Sequence, residues 1–175
     1  MNLKSKIRNI ADYPKKGINF KDITTLISDP AAFNHVIDIF YERLKNKNID
    51  KIVGIESRGF IFGSALAYKM KKGFIPIRKK GKLPAKTIKM SYELEYGSDE
   101  IEIHEDSLKK NERVVLVDDL IATGGTALAS IKLLNKMNVI ICDNIFLVDL
   151  CFLGGSDNIK KLGLECFSIC IYEDE

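Results

Sequence analysis

The sequence is 175 residues long, with 46% hydrophobic residues, 29% charged residues and a formal net charge of +3. This balance is typical of one globular domain spanning residues 1–175, and so small a net charge does not by itself indicate a nucleic-acid partner. No apolar run is long enough to cross a bilayer, and the N-terminal residues lack the apolar core of a signal peptide, so we expect a cytoplasmic protein without a membrane partner.

Strands and helices are predicted to alternate along the chain. Asp29 and Pro30 are typical of a helix N-cap and first turn, and apolar residues at helical spacing follow them. Further helices are predicted at residues 60–72 and 126–137, and strands at residues 51–55, 74–78, 113–117, 140–149 and 166–172. This alternation predicts an α/β fold in which a mostly parallel twisted sheet carries helices on both faces.

Residues 79–100 interrupt the alternation, because they are first basic and then rich in tyrosine. We expect this segment to leave the sheet as a short lid or hood over a site. Its basic first half overlaps a cationic stretch from Lys69 to Lys89, which has nine Lys or Arg and no Asp or Glu. Such a stretch is typical of a solvated loop or of an anion site. Nucleic-acid binding would favour interleaved aromatic residues, and the stretch has only Phe74.

The cysteines indicate neither a disulfide nor a structural zinc site. Cys142, Cys151, Cys166 and Cys170 form no CxxC pair, and the chain has only two histidines to complete a metal site. Three of the four cysteines lie in apolar segments, where a free cysteine behaves as a small buried hydrophobe.

The most informative segment is residues 114–126, VVLVDDLIATGGT. Asp118 and Asp119 follow an apolar strand, at the sheet edge where ligands bind in α/β folds, and adjacent carboxylates there can accept hydrogen bonds from a vicinal diol such as that of ribose. The next residues offer hydroxyls, uncovered N–H groups and a helix N-terminus, which together favour a phosphate. This loop consists of Ala122, Thr123, Gly124, Gly125 and Thr126.

Two other phosphate motifs are excluded, since a Walker A loop needs Lys after its last Gly and no GxGxxG is present. A tight strand-to-helix turn without a ligand is the structural alternative.

The segment at residues 114–126 resembles the phosphoribosyl-diphosphate motif of type I phosphoribosyltransferases. Further segments resemble the adenine phosphoribosyltransferase family and follow its order: residues 12–14 with Gly17, 20–24, 56–60, 78–84, 91–92 and 95–97.

The resemblance implies the type I phosphoribosyltransferase fold and the conversion of adenine and 5-phosphoribosyl 1-diphosphate to AMP and pyrophosphate. It also implies Mg²⁺, held mainly by the diphosphate without a direct protein ligand, and a homodimer. Breaking the bond at ribose C1 places positive charge on the sugar and negative charge on the leaving group, so catalysis would come mainly from positioning and electrostatics. Arg58, Arg78 and Lys82 would balance the charge of the diphosphate.

The base site is predicted from the same resemblance. Phe20 would stack on the purine, with Lys21 beside it, and Tyr96 would help the lid to exclude water. Glu95 corresponds to the acid that the family places near the purine ring. Asn19 stands where an apolar residue is common, and Lys21 where arginine is common, so strict preference for adenine over 6-oxopurines is an open question. The predicted catalytic residues are Glu95, Asp118, Asp119 and Arg58.

Two other functions remain as alternatives. A phosphoribosyltransferase for hypoxanthine, guanine or xanthine usually has a lysine and an aromatic after the central helix, and the segment that follows Met137 has no such lysine. A regulator that senses phosphoribosyl diphosphate would be expected to carry an added DNA-binding domain, and few residues precede Asp12. The sequence after Met137 therefore does not favour a 6-oxopurine enzyme, and the short segment before Asp12 does not favour a DNA-binding regulator.

Overall fold

The computed structural model describes residues 1–93 and 98–174. Its strands are β1 (Arg8–Ile10), β2 (Phe20–Asp22), β3 (Lys51–Ile55), β4 (Gly73–Lys79), β5 (Thr87–Glu93), β6 (Ser98–His104), β7 (Arg113–Ile121), β8 (Ile140–Leu150) and β9 (Phe167–Tyr172). Its α-helices are α1 (Thr24–Ile27), α2 (Pro30–Leu44), α3 (Gly59–Met70), α4 (Gly125–Lys136) and α5 (Gly155–Lys161), and short 3-10 turns occupy Lys4–Lys6 and Cys151–Leu153.

In the described part of the chain, seven strands form the main sheet in the order β5-β6-β4-β3-β7-β8-β9. The run from β4 to β9 is parallel, whereas β6 pairs antiparallel with both β4 and β5. β1 and β2 form a separate antiparallel pair. The predicted mostly parallel α/β sheet is therefore confirmed.

Helices cover both faces of this sheet because side chains of β7 alternate between two cores. Val115 and Val117 lie in one core with apolar residues of α1, α2 and α3. Val114 and Leu116 lie in the other core with those of α4 and α5. A strand that is apolar on both faces is typical of a central parallel strand.

α2 begins as the sequence predicts. The Asp29 carboxylate accepts hydrogen bonds from the N–H groups of Ala31 at 3.0 Å and Ala32 at 3.1 Å, and Pro30 occupies the first turn. Val36 and Phe40 on its apolar face are fully buried. No helix in residues 1–93 and 98–174 has both the length and the apolarity to cross a membrane.

The structure differs from the prediction in two places that bear on the site. The strand predicted to end at residue 117 continues to Ile121, because β8 pairs with it as far as Asp149. Much of the segment predicted to leave the sheet instead extends it, since β5 and β6 form a hairpin whose β6 strand pairs with the end of β4. Ile101 and Ile103 alternate with polar residues in β6 and are buried, which explains that pairing. Neither β1–β2 nor α5 is predicted by the sequence.

Candidate active site

A cavity of about 470 Å³ lies at the carboxyl ends of β3 and β7, beside the N-termini of α3 and α4. Its position matches the general rule that open α/β sheets bind ligands at this edge. It is lined by Glu56, Ser57, Arg58, Lys79, Tyr92, Glu93, Asp118, Asp119, Leu120, Ile121, Ala122, Thr123, Gly124, Gly125, Thr126 and Ala127.

Asp118 and Asp119 place two carboxylates at the base of the cavity. Asp118 accepts a hydrogen bond from the Asp119 N–H at 2.9 Å, and the Asp119 carboxylate forms an ion pair with Arg58, Nε to Oδ2 2.8 Å. Burial raises the pKa of both carboxyls, and the neighbouring Asp119 charge raises that of Asp118 further, whereas the Arg58 guanidinium lowers both. Both pKa values stay above the ordinary value for an aspartate, so the pair is a poorly solvated acceptor of hydrogen bonds whose ionised form Arg58 favours.

Gly59 allows α3 to begin against this pair. A Cβ atom on Gly59 would lie 2.7 Å from Asp118 Oδ1 and 2.8 Å from the Val117 carbonyl oxygen. Both distances are too short for any larger residue without movement of β7. The absence of a side chain at position 59 therefore brings Arg58 and the acidic pair together.

The loop at residues 122–126 has the form of a phosphate site. Gly124 has φ of 86°, and α4 starts at the next residue, so no N-cap side chain covers its first N–H groups. The loop rests on backbone of another segment, since the Gly155 N–H donates to Ala122 O at 3.0 Å. A Cβ on Gly155 would lie 2.3 Å from that oxygen and 2.7 Å from Gly124 N. Gly155 thus supports the loop from behind, and no local pattern near residue 122 indicates it.

Residues 56–58, between β3 and α3, also line the cavity. The peptide bond between Glu56 and Ser57 is cis. The Glu56 carboxylate accepts hydrogen bonds from Arg78 Nε at 3.1 Å and from the Lys79 N–H at 2.9 Å. Burial alone would raise the Glu56 pKa, but these two donors outweigh it and the pKa is lowered. Glu56 is therefore a fixed anion that ties β4 to the cavity wall.

Lys79 is a cavity residue that sequence reasoning missed. Its ammonium contacts the Asp99 carboxylate and the Tyr92 hydroxyl, and the Tyr92 hydroxyl also donates to Asp99 at 3.1 Å. Burial would lower the Lys79 pKa, but these partners raise it, so the lysine stays charged. Side chains alternate along β4, so Arg78 and Lys79 point to opposite faces, and only Lys79 lines the cavity. Because side chains alternate, the buried Ile77 and Lys79 share one face of β4, and this local pattern distinguishes Lys79 from Arg78.

The predicted site residues fall into two groups. Arg58, both aspartates and the loop at residues 122–126 line one cavity. Phe20 lies next to it, with the Arg58 guanidinium 5.6 Å from its ring centre. Lys21 is buried on the other side of β2, where its ammonium donates to Asn9 Oδ1 at 2.9 Å and lies 4.6 Å from the centre of the Tyr172 ring.

Arg78 and Lys82 are described by the structure but do not line the cavity. Arg78 is held by Glu56 and by Lys82 O, 3.2 Å from its Nη1. Lys82 is exposed on the turn that follows β4. Glu95 and Tyr96 lie outside the described residues.

The fold and the site place the chain in a known class. The model of the phosphoribosyl transferase domain matches residues 22–148, which include the acidic pair and the phosphate loop. The chain belongs to the phosphoribosyltransferase family.

Within that family, the chain is similar to adenine phosphoribosyltransferases. Adenine phosphoribosyltransferase of Brachyspira hyodysenteriae is 58% identical over 161 residues, which are 92% of this chain and 95% of the relative. The crystal structure of adenine phosphoribosyltransferase from Thermoanaerobacter pseudethanolicus superposes with a TM-score of 0.91 at 48% identity, covering 97% of this chain and 98% of that one. The Saccharomyces cerevisiae enzyme, complexed with D-2,5-dideoxy-2,5-imino-altritol 1,6-bisphosphate and adenine, gives 0.88 at 39% identity over 95% of both chains. The predicted resemblance to the adenine phosphoribosyltransferases is confirmed.

Proposed function

We propose that the protein transfers the phosphoribosyl group of 5-phosphoribosyl 1-diphosphate to adenine, which yields AMP and pyrophosphate and salvages the purine. The observation that carries this proposal is one cavity in which the acidic pair, the phosphate loop and Arg58 meet. A ribose with phosphate at one end and diphosphate at the other requires these three kinds of group. Adenine as the base is supported by the relatives, one of which binds adenine in its crystal.

Each part of the cavity would serve one part of the sugar substrate. The loop at residues 122–126 would hold the 5-phosphate with its N–H groups, its hydroxyls and the positive end of α4. Asp118 and Asp119 would accept hydrogen bonds from the ribose hydroxyls. As the bond at C1 breaks, their negative charge would also stabilise the positive charge that grows on the ring, and no covalent nucleophile is needed.

Positive groups from residues 56–58 and from β4 would bind the leaving diphosphate. Arg58 lies between the acidic pair and Phe20, so its guanidinium can contact a diphosphate at C1 of a ribose bound to those acids. Lys79 adds a second cation that lines the cavity. We retain the assignment of Arg78 and Lys82 to the diphosphate, with Lys82 as the residue whose exposed ammonium can turn toward it.

The base would stack near Phe20, whose ring meets the Arg58 guanidinium. Lys21 would contribute backbone rather than its side chain, because its ammonium is bound elsewhere. Glu95 and Tyr96 keep the roles that the resemblance gives them, proton exchange near the purine and exclusion of water. These two assignments rest on the family motif alone.

Mg²⁺ would enter with the diphosphate. The carboxylates of the cavity are oxygen donors of the kind that Mg²⁺ accepts. However, Asp119 is paired with Arg58, and Glu56 is occupied by Arg78 and the Lys79 N–H. Substrate oxygens would therefore hold most of the ion, whose chemical contribution is to neutralise the charge of the leaving group.

We also propose that the protein acts in the cytoplasm as a homodimer, as the family resemblance implies. Light scattering after size-exclusion chromatography tests the dimer, because a mass equal to the 19.7 kDa of one chain would contradict it.

A base-panel assay tests the function. Purified protein is given phosphoribosyl diphosphate, Mg²⁺ and adenine, hypoxanthine, guanine or xanthine in turn, and pyrophosphate release is measured. We expect adenine to give the highest kcat/KM. A 6-oxopurine as the best substrate would correct the base, and no release with any purine would contradict the enzyme assignment.

A further inference from the structure

Glu102 is a buried carboxylate in β6 that has no part in the chemistry described above. It is 2% exposed. Its Oε1 accepts hydrogen bonds from the N–H groups of Lys82 and Leu83, both at 3.0 Å, and its Oε2 accepts one from Thr87 Oγ1 at 3.4 Å. The Lys89 ammonium lies 3.8 Å from the same Oε2. Burying a carboxylate is costly unless donors satisfy it, and here both donors to Oε1 come from one turn.

Arg78, on the adjacent strand β4, binds the same turn through the Lys82 carbonyl oxygen. Arg78 and Glu102 are paired residues in the β4–β6 ladder, directly opposite each other. Arg78 Nη1 donates to Lys82 O at 3.2 Å, while Glu102 accepts from Lys82 N. Both backbone polar groups of Lys82 thus bind one cross-strand pair, and its N–H is shared with Lys79 O at a longer 3.3 Å.

The same arginine connects the turn to the cavity. Arg78 Nε and Nη2 donate to the Glu56 carboxylate at 3.1 and 3.4 Å, and Glu56 lines the cavity next to Arg58. The positive charge of Lys82 also contributes to the lowered pKa of Glu56, so its ammonium lies within electrostatic reach of the cavity wall. The path from Glu102 to the cavity therefore runs through Lys82 and Arg78.

A lysine on a free turn would lose much conformational freedom on binding an anion. If the backbone of the lysine is fixed before binding, less conformational entropy is lost, and the Cα position from which the side chain reaches the anion is already set. We propose that Glu102 is a positioning residue for the diphosphate, acting by fixing the backbone of Lys82 through the Glu102–Arg78 pair. This inference rests on the proposed function, in which Lys82 binds the diphosphate.

Binding of pyrophosphate with Mg²⁺ and binding of AMP are measured by calorimetry on the full chain. Glu102→Ala should weaken pyrophosphate binding on the order of tenfold, because two hydrogen bonds to the turn are lost, and should leave AMP binding within about twofold. Retained AMP binding also shows that the variant is folded. Glu102→Gln keeps an acceptor oxygen for both N–H groups, so we expect it to restore most of the affinity for pyrophosphate.

Glu100→Ala is the matched control. Glu100 lies two residues earlier on the same face of β6, and its carboxylate is 3.7 Å from the ammonium groups of Lys80 and Lys89. Its replacement removes the same charge without removing a hydrogen bond to the turn. We expect it to change neither affinity by more than about twofold.

The double variant Lys82→Ala with Glu102→Ala tests whether Glu102 acts through the lysine. If it does, the double variant should bind pyrophosphate no more weakly than Lys82→Ala alone, since the two effects are then not additive. Additive losses, equal losses of AMP and pyrophosphate binding, or an unaffected Glu102→Ala would each overturn the inference while the proposed function stands. A wild-type protein that binds neither pyrophosphate nor AMP would instead contradict the proposed function itself.

Discussion

Two regions serve the cavity and are built in different ways. The acid-and-phosphate segment, residues 118–126, is continuous in sequence, and its residues from Asp118 to Thr126 all line the cavity. The basic segment, residues 78–84, contributes only Lys79 to the lining of the cavity, and Lys79 is itself paired with Asp99. Arg78 and Lys80 are paired with carboxylates and do not line the cavity, and Lys82 lies on the exposed turn. In a continuous motif the functional groups stay together because neighbouring residues of the chain carry them. A basic stretch acquires a role only when tertiary contacts select which cation faces the ligand.

The variant with the largest expected effect tests whether the acid-and-phosphate segment needs contacts from elsewhere in the chain to hold its loop in position. Gly155→Ala should lower kcat/KM for phosphoribosyl diphosphate by about a hundredfold, because the new Cβ would displace the phosphate loop from the position set by Ala122 O. Steady-state kinetics measure this loss. Gly73→Ala is the control, since its Cβ would meet Lys51 Cγ at an ordinary 3.7 Å, and it should change the value by about twofold at most. A fully active Gly155→Ala would show that the loop needs no support.

A second variant tests the chemistry within the segment. Asp119→Asn should lower kcat/KM by on the order of tenfold or more, because an amide is a weaker acceptor for ribose hydroxyls and lacks the charge that stabilises the transition state. The measurement is the rate of AMP formation at saturating adenine. Unchanged kinetics would remove Asp119 from the ribose site.

A third experiment tests the choice between neighbouring lysines in the basic segment. Lys79→Gln should raise the KM for phosphoribosyl diphosphate about threefold to tenfold, because a cation in the cavity wall is lost. Lys80→Gln removes the same charge from a residue that pairs with Glu100 instead, and should have little effect. Equal effects of the two variants would mean that only net charge matters, and the contrast between the regions would fail.

The smallest effect is a displacement of the pH profile, which links the two walls of the cavity. Burial raises the pKa of Asp118 and Asp119, and Arg58 lowers both, so removing that positive charge should raise them further. A protonated carboxyl accepts hydrogen bonds less well, so the acid limb of kcat/KM should move to higher pH in Arg58→Gln. Arg8→Gln removes a similar charge beside Asp22 and should leave the limb in place. An unmoved limb in Arg58→Gln would show that the aspartates do not set it.

Much of the fold could be predicted because its signals are local. The N-cap at Asp29, the apolar spacing of α2 and the continuous apolar run in β7 each depend on a few neighbouring residues. The basic and then tyrosine-rich composition of residues 79–100 predicts an excursion, whereas β5 and the start of β6 lie within them. Only the pairing of β6 with β4 gives Ile101 and Ile103 a core, and that pairing is not visible in local composition.

The sequence by itself determined the parallel strands β3, β4, β7, β8 and β9 with the helices α3 and α4 between them, the acidic pair and the phosphate loop, because these follow from residues close together in the chain. The tertiary structure decided which cations face the cavity and what holds each loop in place. Lys79 rather than Arg78 lines the wall, Gly155 lies beneath the loop, and Glu102 fixes the turn of Lys82. The contacts of Gly155 and Glu102 join residues more than fifteen positions apart, which local spacing does not encode. Local alternation places Lys79 on the face of Ile77, but only the tertiary structure shows that this face of β4 borders the cavity.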